Sequence, residues 1–199
     1  MNKMLVALAL ALTAAGPLRA EIAPGQPAPD FTLNDQTGAP RKLSDAKGKY
    51  VVLEWWNKDC PFVRRHYNAK NMQRLQKKYT GKGVVWYSID SAAEGKEGYL
   101  SPKAVSKVMT KQGMASTAVL LDPKGDVGRL YGAKTTPHMF VVDPKGNVIY
   151  MGAIDDRPST DPADLKGAHN YVSAALDAAM AGQPVPNPVT KSYGCGVKY

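Results

Sequence analysis

Apolar positions along this chain come in short runs punctuated by Gly, Pro and Asn or Asp, and one of those runs leads straight into a cysteine. Tyr50–Trp56 is apolar throughout except at Glu54, and mostly aromatic or β-branched, the pattern of a strand covered on both faces. It breaks at Asn57-Lys58-Asp59, and Cys60-Pro61 opens a segment whose apolar residues Val63, Tyr67, Met72, Leu75 and Tyr79 predict one helix reaching Tyr79, stopped by Gly81-Lys82-Gly83. Asn57 or Asp59 is expected to cap it, with Pro61 at its first position.

The same reading extends to both ends. Upstream, the Pro-rich Ala23–Asp30 is a rigid lead-in, Phe31–Leu33 a short strand, Asn34–Pro40 a hairpin turn, and Arg41–Asp45 the link to the core strand. Downstream, Val84–Ile89 predicts a second buried strand, and the polar Asp90–Leu100 a loop, read as a surface insertion with a lid over the site as the alternative. Ser101-Pro102 starts a helix running to about Gln112. Val119–Leu121, His138–Val142 and Val148–Met151 read as strands, and Val127–Tyr131 as a short helix. Asp122-Pro123-Lys124-Gly125 and Asp143-Pro144-Lys145-Gly146 read as one turn solution used twice. Leu165, Val172, Leu176 and Ala179 place a last helix over Asp164–Ala181. The Pro-rich residues 182–199 form an extended tail carrying Cys195. Alternating strands and helices that close on a hairpin and a helix imply an α/β fold: a central mixed sheet with helices on both faces and an N-terminal β-hairpin.

Residues 1–20 change how much of the chain can fold. Lys3, the apolar Met4–Ala15 and Leu18-Arg19-Ala20 have the layout of a secretory signal peptide, too short for a spanning helix. The folded domain is then expected over residues 21–181, periplasmic or secreted, with no integral membrane segment after the leader is removed. Without Lys3 and Arg19 the chain keeps 24 basic against 17 acidic residues. No arginine-rich block accompanies that excess, so it reads as a solvated basic surface and not as a nucleic-acid site.

Chemistry concentrates at Cys60. A thiol at a helix start faces unpaired backbone N–H groups and the positive end of the helix dipole, with Lys58, Arg64 and Arg65 close in sequence. All of this favours thiolate, so Cys60 is the expected nucleophile.

The run Val51-Val52-Leu53-Glu54-Trp55-Trp56-Asn57-Lys58-Asp59-Cys60-Pro61-Phe62-Val63 resembles the active-site strand and loop of the thioredoxin-like superfamily. It is most similar to the redoxin branch, which includes peroxiredoxins of the alkyl hydroperoxide reductase/thiol-specific antioxidant type. Ala28-Pro29-Asp30-Phe31-Thr32-Leu33, Leu43-Ser44-Asp45 and Gly48-Lys49 resemble the redoxin N-terminal hairpin and carry the likeness independently of the cysteine. The resemblance implies a thioredoxin-like fold over most of the mature chain. It also implies a cis-proline loop at Thr136-Pro137 facing the nucleophile, where an extended substrate can pair, and a buried proton-exchanging acid at Glu54. Val63 stands where thioredoxins have their second cysteine, and Leu53 and Asn57 stand where peroxiredoxins have Pro and Thr.

Other residues rank lower. Phe62 and Arg64 are candidate substrate contacts beside the thiol, and Arg65 and Arg129 candidate anion stabilisers. His66, His138 and His169 are the only histidines, and His138 could approach Cys60. The paired cysteines of copper-binding relatives are missing, so no metal and no cofactor is expected. Trp55, Trp56 and Trp86 read as core. Cys195 is the one other cysteine, in a Gly194-Cys195-Gly196-Val197-Lys198-Tyr199 ending that resembles a bacterial redoxin subgroup. It is the expected disulfide or resolving partner of Cys60, and its flanking glycines allow close backbone approach. The expected function is exported thiol-disulfide exchange, with protein thiols or disulfides as substrates and an external thiol reductant. The alternatives are a thiol peroxidase acting on small peroxides, and an idle binding or metal-delivery module held by a structural disulfide.

Overall fold

The protein was analysed as a computed structural model, which describes residues 22–199; the expected leader lies outside them. Strands β1 (Thr32–Asp35) and β2 (Pro40–Lys42) form the expected N-terminal hairpin. They are followed by β3 (Val51–Trp55), α1 (Pro61–Asn68), α2 (Asn71–Thr80), β4 (Val85–Asp90), α3 (Pro102–Gln112) and β5 (Ala118–Leu121). Then come α4 (Asp126–Leu130), β6 (Thr135–Thr136), β7 (His138–Val142), β8 (Val148–Gly152), α5 (Tyr171–Met180) and β9 (Cys195–Gly196). Seven strands make one mixed sheet in the order β2-β1-β5-β4-β3-β7-β8. Its centre, β3, β4 and β5, is parallel, and β1 and β7 flank that centre antiparallel.

The central strands are apolar on both faces because both are covered. Val52, Trp86, Val119, Met139 and Val141 face a core shared with α1, α2, α3 and α5. Val51, Leu53, Trp55, Tyr87, Ile89 and Phe140 face a second core closed by Phe31, Leu43, Val127 and Tyr131. The alternation along β3 turns Glu54 toward the first core, the side that holds Cys60.

Glu54 is fully buried and accepts hydrogen bonds from Trp86 Nε1 (2.8 Å), Tyr67 Oη (2.8 Å), Ser88 Oγ (2.9 Å) and Gln76 Nε2 (3.3 Å). One carboxyl group thus ties β4, α1 and α2 together beneath the helix that starts at Cys60. Burial raises its pKa, and the four donors limit the rise. Glu54→Leu leaves several buried donors without an acceptor and is expected to destabilise the chain by about 3 kcal/mol or more. Glu54→Gln keeps one acceptor oxygen and should cost clearly less. Urea unfolding of the two variants, compared at constant slope, checks this.

Two expected helices are broken. The segment after Cys60 is α1 and α2 with Lys70 left-handed between them (φ 58°), not one helix to Tyr79. The step of five from Tyr67 to Met72 is the cause: in a continuous helix it would carry the buried stripe away from the sheet, and the break restores both residues to the core. The last helix begins at Tyr171 and not at Asp164. Asn170 caps it by accepting the Ser173 N–H (2.8 Å), and Pro162–Leu165 is a separate 3₁₀ turn. Among the described residues no helix is long and apolar enough to cross a membrane.

Candidate active site

Cys60 ends the loop after β3 and is itself the N-cap residue of α1 (φ −63°, ψ 122°), with Pro61 at the first helical position. Its carbonyl accepts the Arg64 N–H (2.9 Å), which closes the first turn. Neither expected cap is used. Asn57 Oδ1 instead accepts the Asp59 N–H (2.8 Å) and Asn57 Nδ2 donates to the Glu97 carbonyl (3.1 Å), so Asn57 shapes the loop. The helix start acts on the sulfur directly, through the Val63 N–H.

Opposite Cys60 lies the Thr136–Pro137 bond, which is cis as expected. The Cys60 thiol donates to the Thr136 carbonyl (3.0 Å). The short strand β6 here was not anticipated, nor was its partner. The C-terminal tail returns across the molecule as β9, antiparallel to β6, with Thr135 opposite Gly196 and Thr136 opposite Cys195. This pairing brings Cys195 to Cys60, close enough for each thiol to shift the other's ionisation, both cysteines being free. The edge expected to receive an extended substrate is filled by the chain's own tail.

The two thiols are inequivalent. Burial opposes ionisation of Cys60, but hydrogen bonding from Cys195, the Thr136 side chain and the Val63 N–H outweighs it, and its pKa falls below that of an ordinary thiol. Cys195 is pushed up to about 12 by burial, by its bond to Cys60 and by the charges of Cys60 and Glu97. The pair therefore sets a thiol that ionises readily beside one that keeps its proton.

The tail is fastened along its length. Met151 N–H donates to the Pro188 carbonyl and Thr190 N–H to the Met151 carbonyl, each at 3.0 Å. Thr190 Oγ1 accepts the Ala153 N–H (2.9 Å) and meets Tyr150 Oη (2.6 Å). Tyr193 Oη donates to Asp155 and lies 3.4 Å from His66 Nε2, with its ring 5.8 Å from that of Phe62. Tyr199 Oη donates to the Ala133 carbonyl (2.8 Å), and Arg129 lies 4.6 Å from the Tyr199 ring. The domain is cut to receive this strap. A Cβ on Gly152 would lie 2.3 Å from the Thr190 carbonyl oxygen, and one on Gly128 would lie 2.5 Å from the Tyr199 ring. Residues 91–100 wall the other side, where Ala93 N–H donates to the Lys198 carbonyl (2.8 Å). The segment read as a surface loop is part of the site.

The remaining candidates are dispersed. Phe62 meets the tail through Tyr193. Arg64 is exposed on a cleft of about 710 Å³ with Lys58, Asp59, Lys70 and Lys111. Lys58 is paired with Asp59 at 2.5 Å. Arg65 is buried and donates to the Arg157 (2.5 Å) and Ser159 (3.0 Å) carbonyls, beside Asp155, so it anchors α1 and is not a surface charge. Arg129 holds the tail end. His138 shares the Phe140 face of β7, stacks on that ring at 4.6 Å and accepts the Lys134 N–H (3.3 Å), on the opposite side of the sheet from Cys60. Burial lowers His66 to about 3 and His138 to about 4, so both are neutral at pH 7 and neither supplies charge to the thiol. His169 lies before α5, its ring 5.2 Å from that of Tyr171. Glu54 has no hydrogen bond to either thiol; its partners are Trp86, Tyr67, Ser88 and Gln76. Sequence reading missed Thr190 and Tyr193, and Tyr199 entered it only as the last residue of the tail motif, without a role. Their partners are distant in the chain.

Asp90, where β4 meets the wall segment, is raised to about 7, by burial first, with the charges of Asp122 and Asp59 adding. Between about pH 4 and 7 the folded chain therefore holds a proton that the unfolded chain has lost. That contribution to stability disappears as pH rises through 7. Asp90→Asn removes the charge and keeps an acceptor for the Ala92 N–H. Relative to the parent, the variant is expected to gain on the order of 1–3 kcal/mol of stability between pH 5 and pH 9. Urea midpoints at the two pH values decide it.

Known proteins share this architecture. The model of the AhpC/TSA family matches residues 24–151. The thioredoxin-like protein YneN of Bacillus subtilis is 32% identical over 143 residues, 71% of this chain and 79% of YneN. The thiol-disulfide oxidoreductase ResA of Bacillus thuringiensis is 30% identical over 125 residues, 63% of this chain and 66% of ResA. The crystal structure of an uncharacterized conserved protein from Geobacillus kaustophilus superposes with a TM-score of 0.75 at 29% identity, covering 89% of this chain and 93% of that one.

Proposed function

The chain belongs to the AhpC/TSA family and is a thiol-dependent oxidoreductase of thioredoxin-like fold, and from that premise we propose that it exchanges disulfides with Cys60 as nucleophile and Cys195 as its internal partner. The observation that carries this reading is the β6–β9 pairing, which sets the two thiols against each other at the start of α1.

The chemistry follows from their inequivalence. The Cys60 thiolate attacks one sulfur of a substrate disulfide, forming a mixed disulfide and releasing the other substrate sulfur as a thiolate. Cys195, deprotonated as it reacts, attacks the Cys60 sulfur. The second substrate thiolate leaves, and the chain keeps a Cys60–Cys195 disulfide. Two electrons pass to the substrate, and no cofactor is needed to hold them. For substrate to reach Cys60, the tail must first lift from β6, which frees that edge for an extended segment of a protein substrate. An external thiol reductant restores the dithiol. The leader-like residues 1–20 support a periplasmic or secreted location for this activity, with the folded domain taken over residues 21–181 and the tail over 182–199.

Disulfide exchange is favoured over peroxide reduction by Asn57. It stands where peroxiredoxins have their Thr, and both ends of its amide are already bonded, to Asp59 and Glu97. Stopped-flow oxidation of the reduced chain is expected to give a larger second-order rate constant with an aromatic or peptide disulfide than with hydrogen peroxide. The reverse order would make peroxide reduction the function.

A further inference from the structure

Once Cys60 and Cys195 are joined, their surroundings are lopsided. Cys60 has 0% exposure with the tail docked. Cys195 is partly exposed, on the outer strand of the β6–β9 pair. Its inner side packs on the core and on β6, and toward solvent lie the tail end and the wall segment, whose Lys198 and Glu97 pair at 3.4 Å with side chains 36% and 53% exposed. The cover over Cys60 is the same segment that bears Cys195, so the disulfide fixes that cover in place. Thr190, Tyr193 and Tyr199 hold it on either side. A thiolate must reach a disulfide in line with the S–S bond, and only the Cys195 end is open to solvent.

We propose that the thiol which reduces the oxidised chain attacks the sulfur of Cys195 and not that of Cys60, making the tail cysteine the contact point for the reductant. This rests on the Cys60–Cys195 disulfide proposed above. In the first step the reductant thiolate forms a bond to Cys195 Sγ while the Sγ–Sγ bond breaks, and the electron pair stays on Cys60. In the second, another thiolate of the reductant attacks its own sulfur in that mixed disulfide. Cys195 leaves and takes a proton from solvent, and the reductant departs as a disulfide. Two electrons have entered, and both cysteines are reduced.

Leaving-group chemistry runs the same way. A thiolate of lower pKa departs faster, and Cys60, receiving the Val63 N–H at the start of α1, is the better leaving group of the two. Substrate and reductant then use different sulfurs. The substrate meets Cys60 with the tail lifted, and the reductant meets Cys195 with the tail down.

The test uses the full chain, oxidised, and glutathione as the probe thiol. The linkage state is first established by non-reducing peptide mapping. The chain is then mixed with glutathione, quenched with acid at a series of times, alkylated and mapped. At the shortest times the glutathione adduct is expected on Cys195 and the alkyl group on Cys60, by roughly tenfold or more over the reverse. An adduct mainly on Cys60, or equally on both, overturns the inference while leaving the disulfide intact. A starting chain without the Cys60–Cys195 link overturns the inference and the proposed function together.

Discussion

A Cys60→Ser chain is expected to lose disulfide exchange by on the order of 10³-fold or more while folding normally. Serine fits the N-cap position, and its hydroxyl can still donate to the Thr136 carbonyl as the thiol does. It cannot form the low-pKa anion that the Val63 N–H and the Cys195 thiol stabilise, and removing an activated nucleophile has losses of this size. In the parent chain, the pH midpoint for alkylation of Cys60 should fall below the free-thiol value of about 8.5. Activity is read as reduction of an aromatic disulfide. A Cys60→Ser chain with parental activity, or a midpoint at the free-thiol value, would remove Cys60 from the mechanism.

Gly194→Ala is expected to slow formation of the intramolecular disulfide by roughly ten- to a hundredfold without unfolding the domain. A Cβ at Gly194 would lie 2.0 Å from the Thr136 carbonyl oxygen and 2.7 Å from its carbon, backbone atoms that cannot yield, and Gly194 sits at φ +134°. The β6–β9 pairing has to open, although Thr190 and Tyr193 still keep the tail nearby. Gly196→Ala is the matched control. It lies within β9, on the other side of Cys195 from Gly194, and nothing stands within 4 Å of its added Cβ, so its rate should stay within about twofold of the parent. Mass spectrometry of the chain during oxidation in a glutathione buffer gives both rates. Equal rates for the two variants would mean that strand pairing does not position Cys195.

What could be read from the sequence tracks what is local. The strand before Cys60, the cysteine at a helix start and the N-terminal hairpin depend on neighbouring residues, the cis bond at Thr136–Pro137 was implied by the family resemblance, and the structure has all four as expected. The helix break was also present, as the five-residue step from Tyr67 to Met72, but an apolar stripe interrupted once looks the same as an irregular one. Three features were out of reach because they join residues far apart. Buried Arg65 resembles any surface arginine until Asp155, Arg157 and Ser159 are folded around it. Asp90–Leu100 is polar enough to be a plain loop, and only contact with Lys198 and Asn57 makes it a wall. The tail's return to Cys60 was expected from Cys195 and its flanking glycines, but its track was not, since it depends on Gly152, Gly128 and Gly194 lying opposite Thr190, Tyr199 and Thr136.

The central claim is that the tail returns Cys195 to Cys60 as its reaction partner. Non-reducing peptide mapping of the chain after mild oxidation tests it most directly. The account requires one cross-linked peptide pair joining Cys60 to Cys195, in a monomer lighter by two hydrogens than the reduced chain. Two free thiols after that oxidation, or disulfides found only between chains, would contradict it.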